Sequence, residues 1–543
     1  MDPVTPAPAT PTQVRSLLFE LRSGAGKEWH HEVAAAAAAC GLNADRRAGA
    51  LLVWDSKANR PVRPDIQLAA GWQVRKEWVG PRQHALGVLP HLLFFENGES
   101  APSHRPQYEL FGSPLPDPRP IPTRLASCLE LAERLAKAGG PLAGSCLSFS
   151  EVHSDAHLTT SVHVGRHGHA PAGTWLPTLL RKHGMLSLPE GFGIDVVAEE
   201  PGATPVKQYA ESLRKAMQAY GVGGTVSVNG LQHAEQLCDR ARTSSARPLP
   251  ARALLLGVPG HRGQVMAPGP SRLIEELQSA HVPFRLFSLE NHEMDYSALD
   301  QMVSLVACSG GRAFGLELPW PEGVKNVACL GIDLGHPRDG RVSWLALSLV
   351  DSAGCHLRSW RRRQARDETP APEALHAGLQ WARSTMREAG VGTDGVLVLR
   401  DGRTMHHELF SDYEAVLGPQ LTLVEVTKYN NPPLFLDGRS LSPAPPGTAG
   451  VVGDGVVTYM VTAPPAVKGQ IPVPLKVQYA RDNGGDRLGL GRKRIVELIA
   501  GMAYAPSLGF RPHSLPAPLY WADGIASIGP TNHQFSGQLH TES

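Results

Sequence analysis

A chain of 543 residues and 58.3 kDa is too long for one hydrophobic core, so roughly two to four domains are expected. Its 42% hydrophobic and 19% charged residues exclude wholesale disorder, and 52 basic against 51 acidic residues, a net charge of +1, exclude a general cationic field around the molecule. Any grip on a polyanion must come from local patches; only 12 of the 52 basic residues are Lys, and the Arg excess suits phosphate, although a GC-rich genome produces the same bias.

Residues 1–12 are rich in Pro, Ala and Thr and read as a loose terminus; Met1-Asp2-Pro3 has no basic region of the kind that opens an export signal. Ordered structure is predicted to begin with Val14–Arg22 and the alanine run Glu32–Cys40. The apolar stretches near Ala85–Phe95 and Val342–Val350 are too short to span a bilayer. The seven cysteines are scattered and never form C-x-x-C, which argues against a disulfide framework or a cysteine-based zinc knuckle. A soluble, cytoplasmic protein with no membrane partner is the expectation.

Seven prolines between Ser100 and Thr123 read as a linker. Leu125–Ala138 has helical spacing of apolar residues and stops at Gly139-Gly140-Pro141. Glu151–His169 carries five imidazoles, His153, His157, His163, His167 and His169, which could bind a divalent metal; without a cysteine or carboxylate at regular spacing, the stretch reads as a solvated loop beside a strand. From Gly191 to Pro319 strands alternate with helices (Ile194–Ala198, Lys207–Tyr220, Ala253–Val258, Ser271–Ala280, Pro283–Ser288), which predicts a parallel sheet. The Gly-rich turn Gly257–Gly263 lacks the Lys-Ser/Thr of a nucleotide-binding loop and reads as surface.

Val327–His336 is apolar enough for a central strand yet carries Asp333 in its middle, and a buried carboxylate is costly without a partner. Val342–Asp351 and His356–Arg363 read as two more strands of a meander. A helix follows with Leu375, Leu379, Ala382 and Met386 on one stripe, ended by Gly390 and Gly392, and then a strand, Gly395–Arg400, delivers Asp401 at its tip. Strand with Asp, two strands, helix, strand ending in Asp is the order of the ribonuclease H fold. Two carboxylates held close repel unless cations sit between them, which is the demand of two-metal phosphodiester hydrolysis, and hard oxygen donors favour Mg²⁺ or Mn²⁺ over Zn²⁺.

Five segments carry a resemblance to a known family: Gly331-Ile332-Asp333-Leu334-Gly335, Leu399-Arg400-Asp401-Gly402-Arg403, Val424-Glu425-Val426-Thr427-Lys428, Pro472–Val477 and Leu515–Asp523. In that order they resemble the PIWI domain of prokaryotic Argonautes. The resemblance implies a multidomain α/β chain: an α+β N-terminal domain (1–100), a linker region with PAZ reduced or absent (101–188), a Rossmann-like MID domain (189–324) and a ribonuclease H-like PIWI domain (325–543). It further implies a guide-directed endonuclease whose catalytic tetrad falls on Asp333, Glu368, Asp401 and Asp523. Asp333, Asp401 and Asp523 would ligate two ions, Mg²⁺ or Mn²⁺, and Asp367 and Glu373 are rivals of Glu368 for the loop position. The implied partners of an expected monomer are a single-stranded DNA or RNA guide and a complementary target, in host defence against foreign DNA, with Arg358, Arg361, Arg403, Lys428 and Lys468 among the candidate backbone contacts.

The family's usual set of residues around a guide 5′-phosphate is absent. Arg272 and Arg285 could stand in for it, or the pocket accepts a 5′-hydroxyl end. The polar tail Gly529–Ser543 also departs from the apolar C-terminus common in the family.

Overall fold

The computed structural model describes residues 13–542 apart from 23–27, 48, 81–82, 106, 112–114, 116, 244–251, 259–272, 274–275, 278–279, 281, 283, 289–293, 337–341, 405–407, 454, 466–468, 480–484 and 527–538. The chain divides into two compact units, Met1–Ser154 with Lys428–Gln478 and Asp155–Thr427 with Tyr479–Ser543.

The first unit is built on a sheet in which Asn43–Arg47, Ala50–Trp54, Ile66–Gly80, Gln83–Glu96, Leu18–Leu21 and Leu142–Cys146 follow one another, with Arg60–Arg63 beside Ile66–Gly80. Helices Trp29–Ala39 and Ile121–Lys137 cover it, and Leu17, Phe19, Val33, Leu86, Leu125 and Leu131 form their shared core. Each such side chain contributes about 1.5–3 kcal/mol when fully buried. The second helix starts four residues before the apolar spacing predicts. Pro122 lies in its first turn, where a missing N–H costs no hydrogen bond.

Residues 428–478 join this unit because Gln13–Ser16 pairs antiparallel with Leu434–Asp437, and Phe435 enters the same core. The excursion continues as Ala449–Val452, Val457–Met460 and Leu475–Tyr479, antiparallel in turn.

The second unit holds two larger sheets. The first is the predicted parallel one: Thr225–Asn229, Gly193–Val197, Arg252–Val258 and Phe284–Ser288, side by side and all in one direction. The second places Val327–Gly335 between antiparallel Val342–Val350 and parallel Gly395–Asp401, with His356–Ala365 beyond the former and Leu421–Thr427 beyond the latter. Leu539–Glu542 adds a parallel strand outside His356–Ala365.

Helix Pro372–Ala389 connects the meander to Gly395–Asp401. Its stripe of Leu375, Leu379, Ala382 and Met386 packs, as the spacing predicts, on Ala328, Leu330, Ile332, Val396 and Val398. Helix Ala517–Ala526 covers the opposite face. Ile525 and Ala526 share a core with Leu254, Leu256, Phe284 and Leu286, so this helix is the layer common to the two sheets.

The histidine-rich stretch is not a loop. Ser161–Val164 and Gly168–Pro171 form an antiparallel hairpin, and Gly315–Glu317, remote in sequence, completes a three-stranded sheet. Among the described residues no helix is long and apolar enough to cross a membrane.

Candidate nuclease site

Parallel pairing sets Ile332 abreast of Arg400, so the next residues of the two strands are Asp333 and Asp401. Neighbouring strands lie about 4.8 Å apart, and the two backbones therefore carry their acids side by side. Side chains alternate along a strand. Ala328, Leu330, Ile332, Val396 and Val398 point into the core under helix Pro372–Ala389, which turns Asp333 and Asp401 to the other face.

That face belongs to helix Ala517–Ala526, which comes within backbone contact of the Asp333 strand. A Cβ on Gly331 would lie 2.1 Å from the Pro518 carbonyl oxygen, and one on Gly335 would lie 2.1 Å from that of Ala526. Gly331, Asp333 and Gly335 share one face of the strand, so the helix runs along it and carries Asp523 past Asp333. Trp521 locks the helix by donating its Nε1–H to Ser507 Oγ at 3.2 Å.

Asp333 is 2% exposed and accepts the Leu334 backbone N–H at 2.8 Å. The donors on this face are carboxylate oxygens with no thiol among them, a set that fits hard divalent cations. Among the described residues, however, the oxygens of Asp333, Glu368, Asp401 and Asp523 form no group of three lying within 4.8 Å of one another; the group that does is His163, His169 and Glu317.

Glu368 sits on the loop after strand His356–Ala365, with its side chain 82% exposed and Oε2 3.5 Å from His336 Nε2. His336 follows the Asp333 strand, and its Nδ1 lies 2.8 Å from Ser343 Oγ. Ser343 in turn donates to the Asp367 carbonyl and accepts the Asp367 N–H, both at 3.2 Å. The loop is thus tied to the site strands through Ser343 and His336, and Glu368 is the acid that meets His336. Glu373 lies in the first turn of helix Pro372–Ala389, and its charge favours the helix N-terminus.

Behind Asp401, on the core face, the 3% exposed Arg400 donates to Glu408 at 3.2 and 3.4 Å and also to the Asp401 carbonyl oxygen. Burial, the largest single effect, lowers the Arg400 pKa, but the charge and hydrogen bonds of Glu408 together with Tyr413 and Asp401 outweigh it and the net shift is upward. Burial also pushes the Tyr413 hydroxyl up, with Glu408 adding to the effect. Glu425 accepts the Thr404 backbone N–H at 2.8 Å, fixing the turn after Asp401. Glu408 and His336 are functional neighbours of the site that no motif in the sequence marks. The available signal was Arg400 itself, a cation within an apolar strand that demanded an anion.

Of the remaining candidates, Arg285 is 1% exposed: its Nε donates to Gln301 at 3.3 Å, its guanidinium lies 5.8 Å from the Trp521 ring centre, and Nη1 has no hydrogen-bond partner. Arg272 and Lys468 lie outside the described residues. Arg358 is engaged by Glu388, and Arg361 stacks over Trp344 at 4.6 Å. Arg403 is exposed in the turn after Asp401. Lys428 belongs to the first unit and lies 5.3 Å from the Tyr429 ring centre.

No protein-family model matches the sequence, and no curated protein matches it. Solved structures do match in fold. Drosophila Piwi superposes with a TM-score of 0.63 at 15% identity, covering 96% of this chain and 89% of that one. Kluyveromyces polysporus Argonaute with a guide RNA gives 0.66 at 10% identity, covering 93% and 78%. Marinitoga piezophila Argonaute in complex with 5′ OH guide RNA and target DNA gives 0.59 at 11% identity, covering 91% and 84%.

Proposed function

We propose that this chain, which has the Argonaute fold, is a guide-directed nucleic-acid endonuclease: loaded with a short DNA or RNA guide, it cuts the complementary strand, with DNA as the favoured target, in defence against foreign DNA. One observation carries the reading. Asp333 and Asp401 stand abreast on parallel strands and turn to the face covered by the helix of Asp523.

In this reading Asp333, Asp401 and Asp523 hold Mg²⁺ or Mn²⁺, which when bound supplies positive charge to the attacking water and the leaving oxygen. Glu368 swings in from its exposed loop to complete the acidic set, with His336 as its resting partner. Arg400, through the Asp401 carbonyl, holds the strand tip still, and Arg403 contacts the nucleic-acid backbone from the adjoining turn, with Lys428 as a further backbone contact. Target sequence is read by pairing with the guide, so the protein needs to grip only the backbone. The segments 1–100, 101–188, 189–324 and 325–543 serve as N-terminal, linker, MID and PIWI regions of a monomer, and Arg272 contributes to holding the guide 5′ end, with the 1% exposed Arg285 supporting it from the core.

A second reading, a guide-loaded binder that recruits a partner without cutting, is favoured by the spacing of the four acids, which do not close into a group within 4.8 Å. The two separate in one experiment. The protein is incubated with DNA or RNA guides, 5′-phosphorylated or 5′-hydroxylated, and labelled DNA or RNA targets, in Mg²⁺ or Mn²⁺, with Asp401→Ala as control. The endonuclease yields a product cut at one fixed distance from the guide end, lost in the control. The binder retains the target and yields no product under any combination.

A further inference from the structure

The hairpin of Ser161–Val164 and Gly168–Pro171 sets His163 directly opposite His169, and strand Gly315–Glu317 pairs along its other side with Ser161 opposite Glu317. Residues two apart on a strand share a face, so His163, His169 and Glu317 point the same way. Val162, Val164, Ala170 and Leu316, at 0–8% exposure, fill the opposite face and fix that orientation. His163 Nε2 lies 3.1 Å and His169 Nε2 3.9 Å from Glu317 Oε2, and the three atoms lie within 4.8 Å of one another.

Zinc held by imidazole and carboxylate at about 2.0–2.1 Å in tetrahedral geometry separates its ligand atoms by about 3.3 Å. The two observed separations bracket that value, so small side-chain rotations suffice to close the set. Two imidazoles with one carboxylate suit Zn²⁺ better than Mg²⁺, which prefers oxygen alone. The group opens onto a recess of about 440 Å³, leaving room for water at a fourth position. Arg312, on the wall of that recess, is engaged by Asp351 at 3.2 Å.

The ligands are also held in advance of any ion. Gly165, in the hairpin turn, has φ +51°, and a Cβ there would lie 1.9 Å from the His183 carbonyl at the end of helix Leu176–His183. The turn therefore rests on that helix, and two of the three donors ride on a supported hairpin rather than a free loop.

We propose that His163, His169 and Glu317 form a zinc site, separate in its residues from the carboxylate site, that clips the chain entering the four-stranded parallel sheet to the chain leaving it. Residues 172–314 lie between the hairpin and the third ligand's strand. Joining the two ends of so long a loop removes conformations from the unfolded ensemble, and the clip thereby stabilises the intervening chain.

The test uses the full-length chain without an affinity tag and with Asp401→Ala, which disables the carboxylate site. Zn²⁺ is titrated calorimetrically into this protein and into the same protein carrying His163→Ala, His169→Ala or Glu317→Gln. The expected result is one equivalent of Zn²⁺, bound about a hundredfold or more weakly in each variant, since even indirect supports of a metal site are worth about 10–100-fold. Zn²⁺ should also raise the thermal midpoint of the parent and not of the variants, whose midpoints without metal stay close to the parent's because His169 and Glu317 are exposed and His163 is only half-buried. Glu317→Gln, nearly isosteric, carries the comparison if a histidine variant misfolds. Absence of Zn²⁺ binding in the parent, or binding unchanged in all three variants, overturns the proposal.

Discussion

Arg400 and Glu408 form a nearly sealed ion pair, with side chains 4% and 1% exposed, directly behind the tip that carries Asp401. Removing one partner strands the other charge in the core, so Glu408→Ala should cost about 3–5 kcal/mol, read from denaturant unfolding. A double replacement of both by apolar residues of similar size should recover most of that loss. A second buried group gives a pH signature. His356 packs against Trp521 at 4.7 Å, and burial pulls its pKa down to about 3. Above about pH 6.5 the ring is neutral in both folded and unfolded chains and has no effect. Below that the unfolded chain takes up a proton that the folded one refuses, so stability falls with acidification until about pH 3. The thermal midpoint should therefore drop more between about pH 7.5 and about pH 5 in the wild type than in His356→Gln. At this scale Asp333 and Asp401 were legible because an ionisable group inside an apolar strand needs a reason. Glu317 was not: its histidine partner lies 154 positions away, and local spacing cannot bring them together.

Helix Ala517–Ala526 depends on two absent side chains. Gly331→Ala would drive a methyl against the Pro518 backbone, which has no flexible end to yield, and should cost about 1–3 kcal/mol and, on the proposed function, lower cleavage with it. Gly524→Ala, where a Cβ meets nothing within 4 Å, should instead raise stability by about 0.5–1 kcal/mol by favouring the helix. Paired unfolding curves of the two variants check both signs. Part of the second unit could be read from periodicity: the stripe of helix Pro372–Ala389 and the strands Val327–Gly335 and Gly395–Asp401 match the observed positions, whereas strands Thr225–Asn229 and Leu421–Thr427 and helices Gly491–Met502 and Ala517–Ala526 were not legible in it. The hairpin bearing His163 and His169 escaped, because its polar outward face hid the alternation that Val162 and Val164 carry on the buried one. Ring pairs such as Tyr209 on Phe287, stacked at 4.3 Å, add packing that no motif announces.

At the scale of the whole molecule, residues 428–478 cluster with the first 154 although they lie far from them in sequence order. The pairing of Gln13–Ser16 with Leu434–Asp437 explains this, and a contact spanning more than four hundred residues leaves no local trace. With a net charge of +1, the proposed guide binding must rest on a few phosphate contacts rather than on bulk charge. For about six such contacts the logarithm of guide affinity should fall with the logarithm of salt concentration with a slope of about −4, measurable by filter binding. The decisive measurement is single-turnover cleavage of a labelled complementary strand by the guide-loaded chain in Mn²⁺, wild type against Asp333→Asn. A single product set by the guide, absent with a scrambled target and slowed about a thousandfold in Asp333→Asn while target binding persists, is the predicted result, equivalent to losing about 4 kcal/mol of transition-state stabilisation. A wild-type chain that binds guide and target but never cuts, or one whose cutting ignores the loss of Asp333, would contradict it.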